Sequence, residues 1–201
     1  MNTVSHSVTN PPGSDASDAD TRLGESIRAH RVARRLTLRD VAARSGVAIG
    51  TLSQLERGMA SPSLKILREV CAAIDLPMVR LFEGLDGASD DVVVHPNERG
   101  SLAIPGKGMR KELLTRRNGA NIQAMIVTVE PGGGSGLDPY SHDGEEVGHV
   151  LAGEITLRVG SRSYRVGPGD TFCFESTLPH GFENYGDIDA VILWVVSRPF
   201  Y

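Results

Sequence analysis

The chain has 201 residues, 40% hydrophobic and 23% charged, which is typical of a globular protein with one large domain or two small ones. Its two cysteines, Cys71 and Cys173, lie far apart and form no CxxC pair, which argues against a disulfide framework and for a reducing compartment. No apolar run is long enough to cross a bilayer and no basic-then-apolar leader opens the chain, so we expect a cytoplasmic protein without membrane contact.

Charge is distributed unevenly along the chain. Residues 21–84 carry eleven basic and six acidic side chains, whereas residues 85–201 carry ten basic and sixteen acidic ones. This asymmetry predicts that only the first module meets a polyanion, although chance variation in composition gives an alternative explanation. Residues 1–20 are rich in Ser, Asp and Pro and have little to bury, so we predict a disordered tail there.

Residues 21–84 show the patterns of four or five short helices. The first is predicted over TRLGESIRAHRVARR, and the second, LRDVAARS, has an N-cap in Thr37 with Asp40 in a capping-box-like position. Gly46 suits the turn before a third helix in VAIGTLSQLERG. Ser61 and Pro62 are predicted as the N-cap and first residue of the fourth helix, PSLKILREVCAAI, and PMVRLFEG closes the module.

Two helices joined by a glycine-containing turn form the helix-turn-helix arrangement. In the helix after the turn, we expect Val47, Leu52 and Leu55 to face inward, which leaves a mostly polar face opposite. That face and the helix start offer groups able to contact base edges and thymine methyl groups in a major groove, although a polar helix face is also explained by simple solvation. The candidate base-contacting residues are Ile49, Gly50, Thr51, Ser53, Gln54 and Arg57.

The stretch from LTLRDVA through SGV, LSQLERG and SPSL to LF resembles the XRE-type, lambda-repressor-like helix-turn-helix family over about sixty residues. The resemblance implies an all-α DNA-binding head with a semi-buried ion pair between Arg31 and Glu56. It also implies contacts to the DNA backbone from side chains that position the head, among them Arg39, Arg44, Ser61, Ser63 and Lys65. One residue departs from the family, because Leu38 stands where many relatives place a DNA-contacting glutamine.

The acidic stretch GLDGASDD predicts a flexible linker at 85–91, between a head at 21–84 and a second domain at 92–201. Beyond it the pattern changes to short β-like runs, which indicate an antiparallel sandwich or barrel. We expect VEPGGGSG to be a loop between strands, because no lysine or helix pattern follows it. The predicted strands are VVVH, SLAIP, RKELLT, IQAMIVTVEP, EITLRVG, RSYRVG, TFCFE and AVILWVVS.

Residues 142–184 resemble the two motifs of the cupin family, and VLAGE and VGPGD strengthen the match. Tyr140, His142, Glu146 and Gly153 fall on the positions of the first motif; Gly169, Glu175, Thr177, His180 and Asn184 fall on those of the second. The resemblance implies an all-β jelly-roll barrel. In the family, three histidines and a glutamate hold a divalent metal inside it.

The metal site departs from the family pattern, because Tyr140 replaces the first histidine. His142, Glu146 and His180 still supply two imidazoles and a carboxylate, a set that binds transition metals such as Zn, Mn, Fe or Ni with open positions. The alternative keeps both histidines as hydrogen-bond donors to the carboxylate of an organic ligand, without metal. Glu145 and His149 are expected to be surface or structural residues.

XRE–cupin proteins form a known family of regulators, and the resemblance implies a homodimer that binds a pseudo-palindromic double-stranded DNA operator. It also implies a small-molecule effector in the barrel, with repression relieved by ligand as the expected sign. Two alternatives stay open. The chain could be a metal-dependent cupin enzyme with an accessory DNA-binding head, or a constitutive repressor whose barrel only dimerises.

Overall fold

A computed structural model of the chain describes residues 14–82, 92–115 and 121–197. The predicted linker and the first part of the predicted tail lie outside the described residues, so the division into head, linker and barrel at 84, 85–91 and 92 stays a prediction. Helices fill the N-terminal part and strands fill the C-terminal part. Within the described ranges, no helix combines the length and apolar character needed to cross a bilayer.

The head contains four α-helices and a closing 3₁₀ turn: α1 (Ser14–Ala33), α2 (Leu38–Ser45), α3 (Ile49–Glu56), α4 (Leu64–Ala73) and Met78–Leu81. The predicted capping box is confirmed, since Asp40 N–H donates to the Thr37 hydroxyl at 3.2 Å and Thr37 N–H donates to the Asp40 carboxylate at 2.7 Å. Gly46 adopts a left-handed conformation, with φ of 72°, that ends α2. These local signals fix the turn that orients α3 against α2.

Two predictions about the head are wrong. The tail prediction extended to residue 20, but α1 begins at Ser14, and the Asp20 carboxylate accepts a hydrogen bond from the Ser61 hydroxyl. The N-cap of α4 is Ser63 rather than Ser61, because the Ser63 hydroxyl accepts from Ile66 N–H at 3.3 Å. Ser61 is engaged elsewhere, since it also accepts from Gly106 N–H at 3.0 Å. Tertiary contacts therefore decided which serine capped the helix.

The C-terminal part forms two antiparallel sheets that pack as a barrel. Six strands lie in the order β1-β2-β3-β9-β4-β7 and three in the order β6-β5-β8. Trp194 of the first sheet and Phe182 of the second touch, with ring centroids 4.9 Å apart. The strands are β1 (Ser101–Ile104), β2 (Met109–Leu113), β3 (Ile122–Val129), β4 (Glu145–Ala152), β5 (Ile155–Val159), β6 (Arg162–Val166), β7 (Thr171–Glu175), β8 (His180–Glu183) and β9 (Ala190–Ser197).

Seven of the eight predicted strand runs contain a strand, and VVVH does not. Val92 is 99% exposed and Val93 is 62% exposed, so the β-branched residues of that run have no sheet to pack against. Strands β4 and β8 were absent from the predicted set of runs. They contain the candidate ligands Glu146 and His180, whose polar side chains interrupt the apolar pattern. VEPGGGSG lies in the loop after β3, as predicted.

The head packs directly on the barrel. Leu64 N–H, at the start of α4, donates to the Ser135 carbonyl at 3.1 Å. Gly106 N–H, in the turn after β1, donates to Ser61 as described, and a β-carbon at Gly106 would lie only 2.5 Å from the Ser61 hydroxyl oxygen. These contacts place the N-terminal end of α4 against the barrel surface.

Candidate functional site

Helix α3 presents a polar face on the outside of the head. Val47, Leu52 and Leu55 are buried, as predicted, which turns the opposite side of α3 outward. Gln54 and Arg57 are exposed, and the Arg57 Nε–H donates to the Ser53 carbonyl at 3.1 Å. The other candidate base-contacting residues also reach this face: Ile49 and Gly50 are exposed, and Thr51 and Ser53 are half-buried. All six candidates are therefore at least partly accessible on the sides of α3 that are not packed in the head.

Gly50 lies near the start of α3 without an internal reason to be glycine. A β-carbon built there meets no atom within 4 Å, and the residue needs no left-handed backbone conformation. Glycine lowers helix stability by about 1 kcal/mol relative to alanine in helix interiors. A bare backbone at this point allows another surface to approach the helix closely.

The two arginines predicted to contact the DNA backbone differ in their surroundings. Arg39 is exposed on α2. Arg44 is also exposed, but its Nη1–H donates to the Ala73 carbonyl at the end of α4, 3.3 Å away. Arg44 thus links α2 to α4 inside the head, and its role toward DNA stays a prediction.

The ion pair between Arg31 and Glu56 is confirmed. The guanidinium is bidentate, with Nε 2.5 Å and Nη2 2.8 Å from the two Glu56 oxygens. Its remaining Nη1–H donates to the Leu36 carbonyl at 2.6 Å. Because Glu56 is only 8% exposed at the end of α3, this pair fixes α3 to α1 and sets the direction of the polar face.

Inside the barrel, His142, Glu146 and His180 converge on one point. Strand β4 supplies Glu146, β8 supplies His180, and His142 lies in the loop before β4. One ligand atom from each of the three lies within 4.8 Å of the other two, and all three residues are buried. Two imidazoles and one carboxylate at this spacing match the donor set of a transition-metal site.

Both histidines are oriented by backbone carbonyls. The Nδ1–H of His142 donates to the Asp143 carbonyl at 3.0 Å, and that of His180 donates to the Leu178 carbonyl at 2.8 Å. These hydrogen bonds leave the Nε2 atoms as the inward-facing donor atoms for a metal. His180 Nε2 is buried, lies 3.4 Å from a Glu146 oxygen and makes no hydrogen bond to the described residues. A buried polar atom of this kind is placed to bind a ligand such as a metal ion.

Glu146 is the charged centre of the site. Burial opposes its ionisation, but the imidazoles of His142 and His180 outweigh that effect and lower the pKa of Glu146 to about 2. Its Oε1 lies 2.5 Å from His142 Nε2, a distance at which the two atoms share a proton. Its Oε2 accepts from Trp194 Nε1–H at 2.8 Å. The carboxylate is therefore held in place as an anion.

Tyr140 lies beside the two histidines, at the position where the cupin pattern has another histidine. Its backbone pairs with His180 in an isolated antiparallel bridge, and the two ring centroids are 4.3 Å apart. Arg68 of α4 lies over the Tyr140 ring, 5.5 Å from its centroid. The four predicted pocket residues are therefore adjacent in space.

Three polar residues of this pocket were absent from the predicted set: Lys111, Trp194 and Arg68. Lys111 had a sequence signal, because it alternates with Met109 and Leu113 and so shares their inward face. Arg68 had none, since its position depends on how the head packs on the barrel. Leu64 of α4 also lines the pocket.

The sequence matches two family models, a helix-turn-helix model over residues 27–81 and a cupin-domain model over residues 125–196. The chain joins a helix-turn-helix domain to a cupin domain. The first match covers α2 and α3 and the second covers Glu146 and His180, so both candidate sites lie in the matched regions.

The chain is similar to several proteins described as transcriptional regulators. The chain is homologous to the HTH-type transcriptional regulator PuuR of Escherichia coli, with 27% identity over 169 residues that cover 84% of this chain and 90% of PuuR. The transcriptional regulator ClgR of Mycobacterium tuberculosis is 38% identical over 56 residues, 28% of this chain and 50% of its own length. An HTH_3 family transcriptional regulator from Vibrio cholerae has the same fold, with a TM-score of 0.66, 21% identity and coverage of 92% of this chain and 99% of that one.

Proposed function

We propose that this protein is a sequence-specific DNA-binding transcriptional regulator, acting as a repressor, whose cupin domain senses a metal ion or small metabolite. The observation that carries the proposal is the outward polar face of α3 in a head that packs on a barrel with a buried His-Glu-His cluster. The resemblance to PuuR along most of both chains supports the same assignment.

On DNA, α3 lies in the major groove with its N-terminal residues leading. Gln54 reads adenine and Arg57 reads guanine through paired hydrogen bonds, while Ile49 and Thr51 contact thymine methyl groups. Gly50 lets the helix backbone approach the duplex, which accounts for a glycine that neither packing nor backbone conformation requires. Arg39 and Arg44 contact phosphates and make the affinity dependent on salt.

We expect Gln54→Ala and Arg57→Ala each to weaken binding to the specific operator by about 1–3 kcal/mol, because each removes a paired contact to a base edge. The operator is first selected from random double-stranded DNA, and affinities are measured by fluorescence anisotropy at fixed salt. Arg162→Ala is the control, since it removes one exposed positive charge from β6 of the barrel. Equal affinities for the wild type and both α3 variants would remove the assignment of these residues.

The residues in the barrel fit a divalent transition metal, Zn, Mn, Fe or Ni. His142, Glu146 and His180 would hold it, and Tyr140 would line the same space. When bound, the metal supplies a Lewis acid that anchors an anionic effector. His180 Nε2, buried without a hydrogen bond to the described residues, and the fixed orientation of both imidazoles support this assignment over a purely structural role.

A homodimer provides the two recognition helices that a pseudo-palindromic operator requires. The outer face of the six-stranded sheet is apolar around Val195, whose register neighbours are Ala124 on β3 and Val147 on β4. Val147 is 41% exposed and Val195 is half-buried in the single chain. Exposed apolar patches of this kind on soluble proteins mark interaction surfaces, so we assign the dimer contact to this face.

Val195→Lys is expected to convert the dimer to the 21.5 kDa monomer, because it places a charge in the centre of that face. Light scattering after size exclusion gives the mass, and operator affinity should fall with it. Tyr164→Lys, at a 44% exposed position on the opposite sheet, should remain dimeric. A wild type that is monomeric at micromolar concentration, or a dimeric Val195→Lys variant, contradicts the assignment.

The donor set of two imidazoles and a carboxylate also favours a second candidate, a metal-dependent cupin enzyme with an accessory DNA-binding head. Turnover of a bound metabolite by the metal-loaded protein separates the two functions. A regulator binds its effector and returns it unchanged.

A further inference from the structure

Lys111 is a buried cation that points into the barrel pocket. It is 6% exposed, and on β2 it shares the inward face of Met109 and Leu113. Among the described residues, no hydrogen bond or ion pair to the Lys111 ammonium is found, and this atom is not one of the fully buried polar atoms without a partner, so it keeps accessible surface at the pocket. A charged donor that lines a pocket in this way is placed to bind a ligand group of opposite charge.

The Glu146 carboxylate lies in the same pocket but is not the partner of the Lys111 ammonium. Glu146 Oε1 faces His142 at 2.5 Å, and its Oε2 accepts from Trp194 at 2.8 Å. Its negative charge is committed to the histidine cluster. The charges of Glu146 and Lys111 balance formally, but the carboxylate oxygens contact His142, His180 and Trp194 rather than the ammonium, and a divalent metal on the cluster would make the pocket positive.

A second cation reaches the pocket from the other domain. Arg68 belongs to α4 of the head, and it lines the pocket together with Leu64 of the same helix. Its guanidinium lies over the ring of Tyr140. The start of α4 is held to the barrel by the hydrogen bond from Leu64 N–H to the Ser135 carbonyl. One wall of the barrel pocket is thus built by the DNA-binding domain.

The pocket is nearly filled by these side chains. The cavity that remains is about 20 Å³, which is room for one water molecule. An organic molecule therefore enters only when part of the lining moves. Leu64 and Arg68 belong to a separate domain, whereas the other lining residues belong to strands and loops of the barrel itself.

From this arrangement we infer that the pocket takes a small organic carboxylate, bound between Lys111 of the barrel and Arg68 of α4, so that the two domains share the ligand. The inference rests on the proposed sensor function and names the class of its effector. Both cations meet the carboxylate oxygens, and entry of the molecule displaces the start of α4 from the pocket.

Movement of α4 reaches the DNA-binding face through contacts inside the head. Helix α4 packs on α2, and Arg44 of α2 donates to the Ala73 carbonyl at the end of α4. Helix α2 in turn packs on α3. A carboxylate that binds the displaced arrangement more tightly shifts the head toward that arrangement. The free energy of operator binding then changes by at most the difference between the ligand's binding free energies for the two arrangements.

Trp194 lines the pocket and is the only tryptophan in the chain, so its fluorescence reports occupancy directly. The probes are potassium acetate, malonate, succinate and glutarate at constant ionic strength, each paired with its neutral amide. We expect at least one acid to change the Trp194 emission with saturation, and its amide to have no effect. Hydrogen exchange of the α4 amides should then change in the same titration.

Lys111→Met and Arg68→Gln should each weaken the response to that acid about ten- to hundredfold, because each removes a charged hydrogen-bond donor. Arg110→Met, the exposed neighbour on β2, should respond as the wild type does. Lys111→Met should also raise the unfolding midpoint of the ligand-free protein, because it removes a charge that has no protein partner among the described residues of the pocket. If Lys111 had only a structural role, the substitution would lower the midpoint instead.

Three results would overturn the inference: no response to any of the four acids, a normal response in Lys111→Met, or a normal response in Arg68→Gln. Loss in Lys111→Met alone would place the ligand in the barrel without the head. Operator binding by the wild type is measured in parallel. If the wild type binds its operator but none of the four acids changes the Trp194 emission, the inference is wrong and the DNA-binding function stands.

Discussion

Arg31→Ala should lower the free energy of unfolding of the head by about 3 kcal/mol, the lower end of the loss expected for a buried ion pair, because Glu56 is buried but Arg31 is only half-buried. The substitution leaves the Glu56 carboxylate, 8% exposed at the end of α3, without the two hydrogen bonds it now accepts. It also removes the donor to the Leu36 carbonyl. Urea denaturation followed by circular dichroism measures the change.

The barrel offers a matched control for this ion pair. Arg165 also donates twice, with Nε 2.9 Å and Nη2 2.6 Å from one Glu154 oxygen, but its side chain is 78% exposed. Exposed ion pairs contribute little to stability, so Arg165→Ala should leave the free energy of unfolding nearly unchanged. If the free energy of unfolding falls by the same amount in both variants, burial is not the reason that the Arg31–Glu56 pair stabilises the head. In Arg31→Ala, operator affinity should fall with stability because α3 loses its attachment to α1.

His180→Ala should abolish stoichiometric metal binding. The wild type, purified without chelator or a metal-binding tag, is expected to carry about one equivalent of Zn, Mn, Fe or Ni per chain by elemental analysis, as a site with three protein ligands does. Loss of His180 Nε2 leaves only two ligands, His142 and Glu146. After both proteins are stripped of metal, metal added at a concentration of 100 Kd should therefore stabilise the wild type by about 2.7 kcal/mol and leave the variant unchanged.

His149→Ala serves as the matched control. His149 is half-buried on β4 beside Thr171, outside the cluster of His142, Glu146 and His180. It should keep the metal content of the wild type. Because removal of a buried histidine can disturb folding, Glu146→Gln, which preserves shape, is measured alongside. A wild type without metal even after reconstitution would mean that the two histidines bind an organic ligand by hydrogen bonds alone.

Sequence patterns predicted the head well where local chemistry decides structure. The Thr37–Asp40 capping box and Gly46 set the bounds of α2, and the period of Leu52 and Leu55 identified the buried side of α3. The choice between Ser61 and Ser63 as N-cap failed. It depends on contacts with Asp20 and Gly106, which are distant in the sequence.

In the barrel too, local sequence patterns did not predict the features that depend on tertiary contacts. Motif spacing predicted that His142, Glu146 and His180 lie together, because a family resemblance carries three-dimensional information that hydrophobic pattern alone does not. The pattern also suggested a strand at VVVH, where Val92 and Val93 have no partner strand. Arg68 escaped prediction for a physical reason: its neighbours in the pocket come from another domain, and no local signal in α4 indicates that contact.

We have proposed that the protein is a DNA-binding regulator that reads its operator with α3. Selection of double-stranded DNA from a random library by the full-length protein tests this directly. The Gln54→Ala/Arg57→Ala double variant is selected in parallel. We expect an enriched pseudo-palindrome with half-sites about one helical turn apart for the wild type, and no such enrichment for the double variant. A wild type that enriches no sequence, or a double variant that enriches the same one, would contradict the proposal.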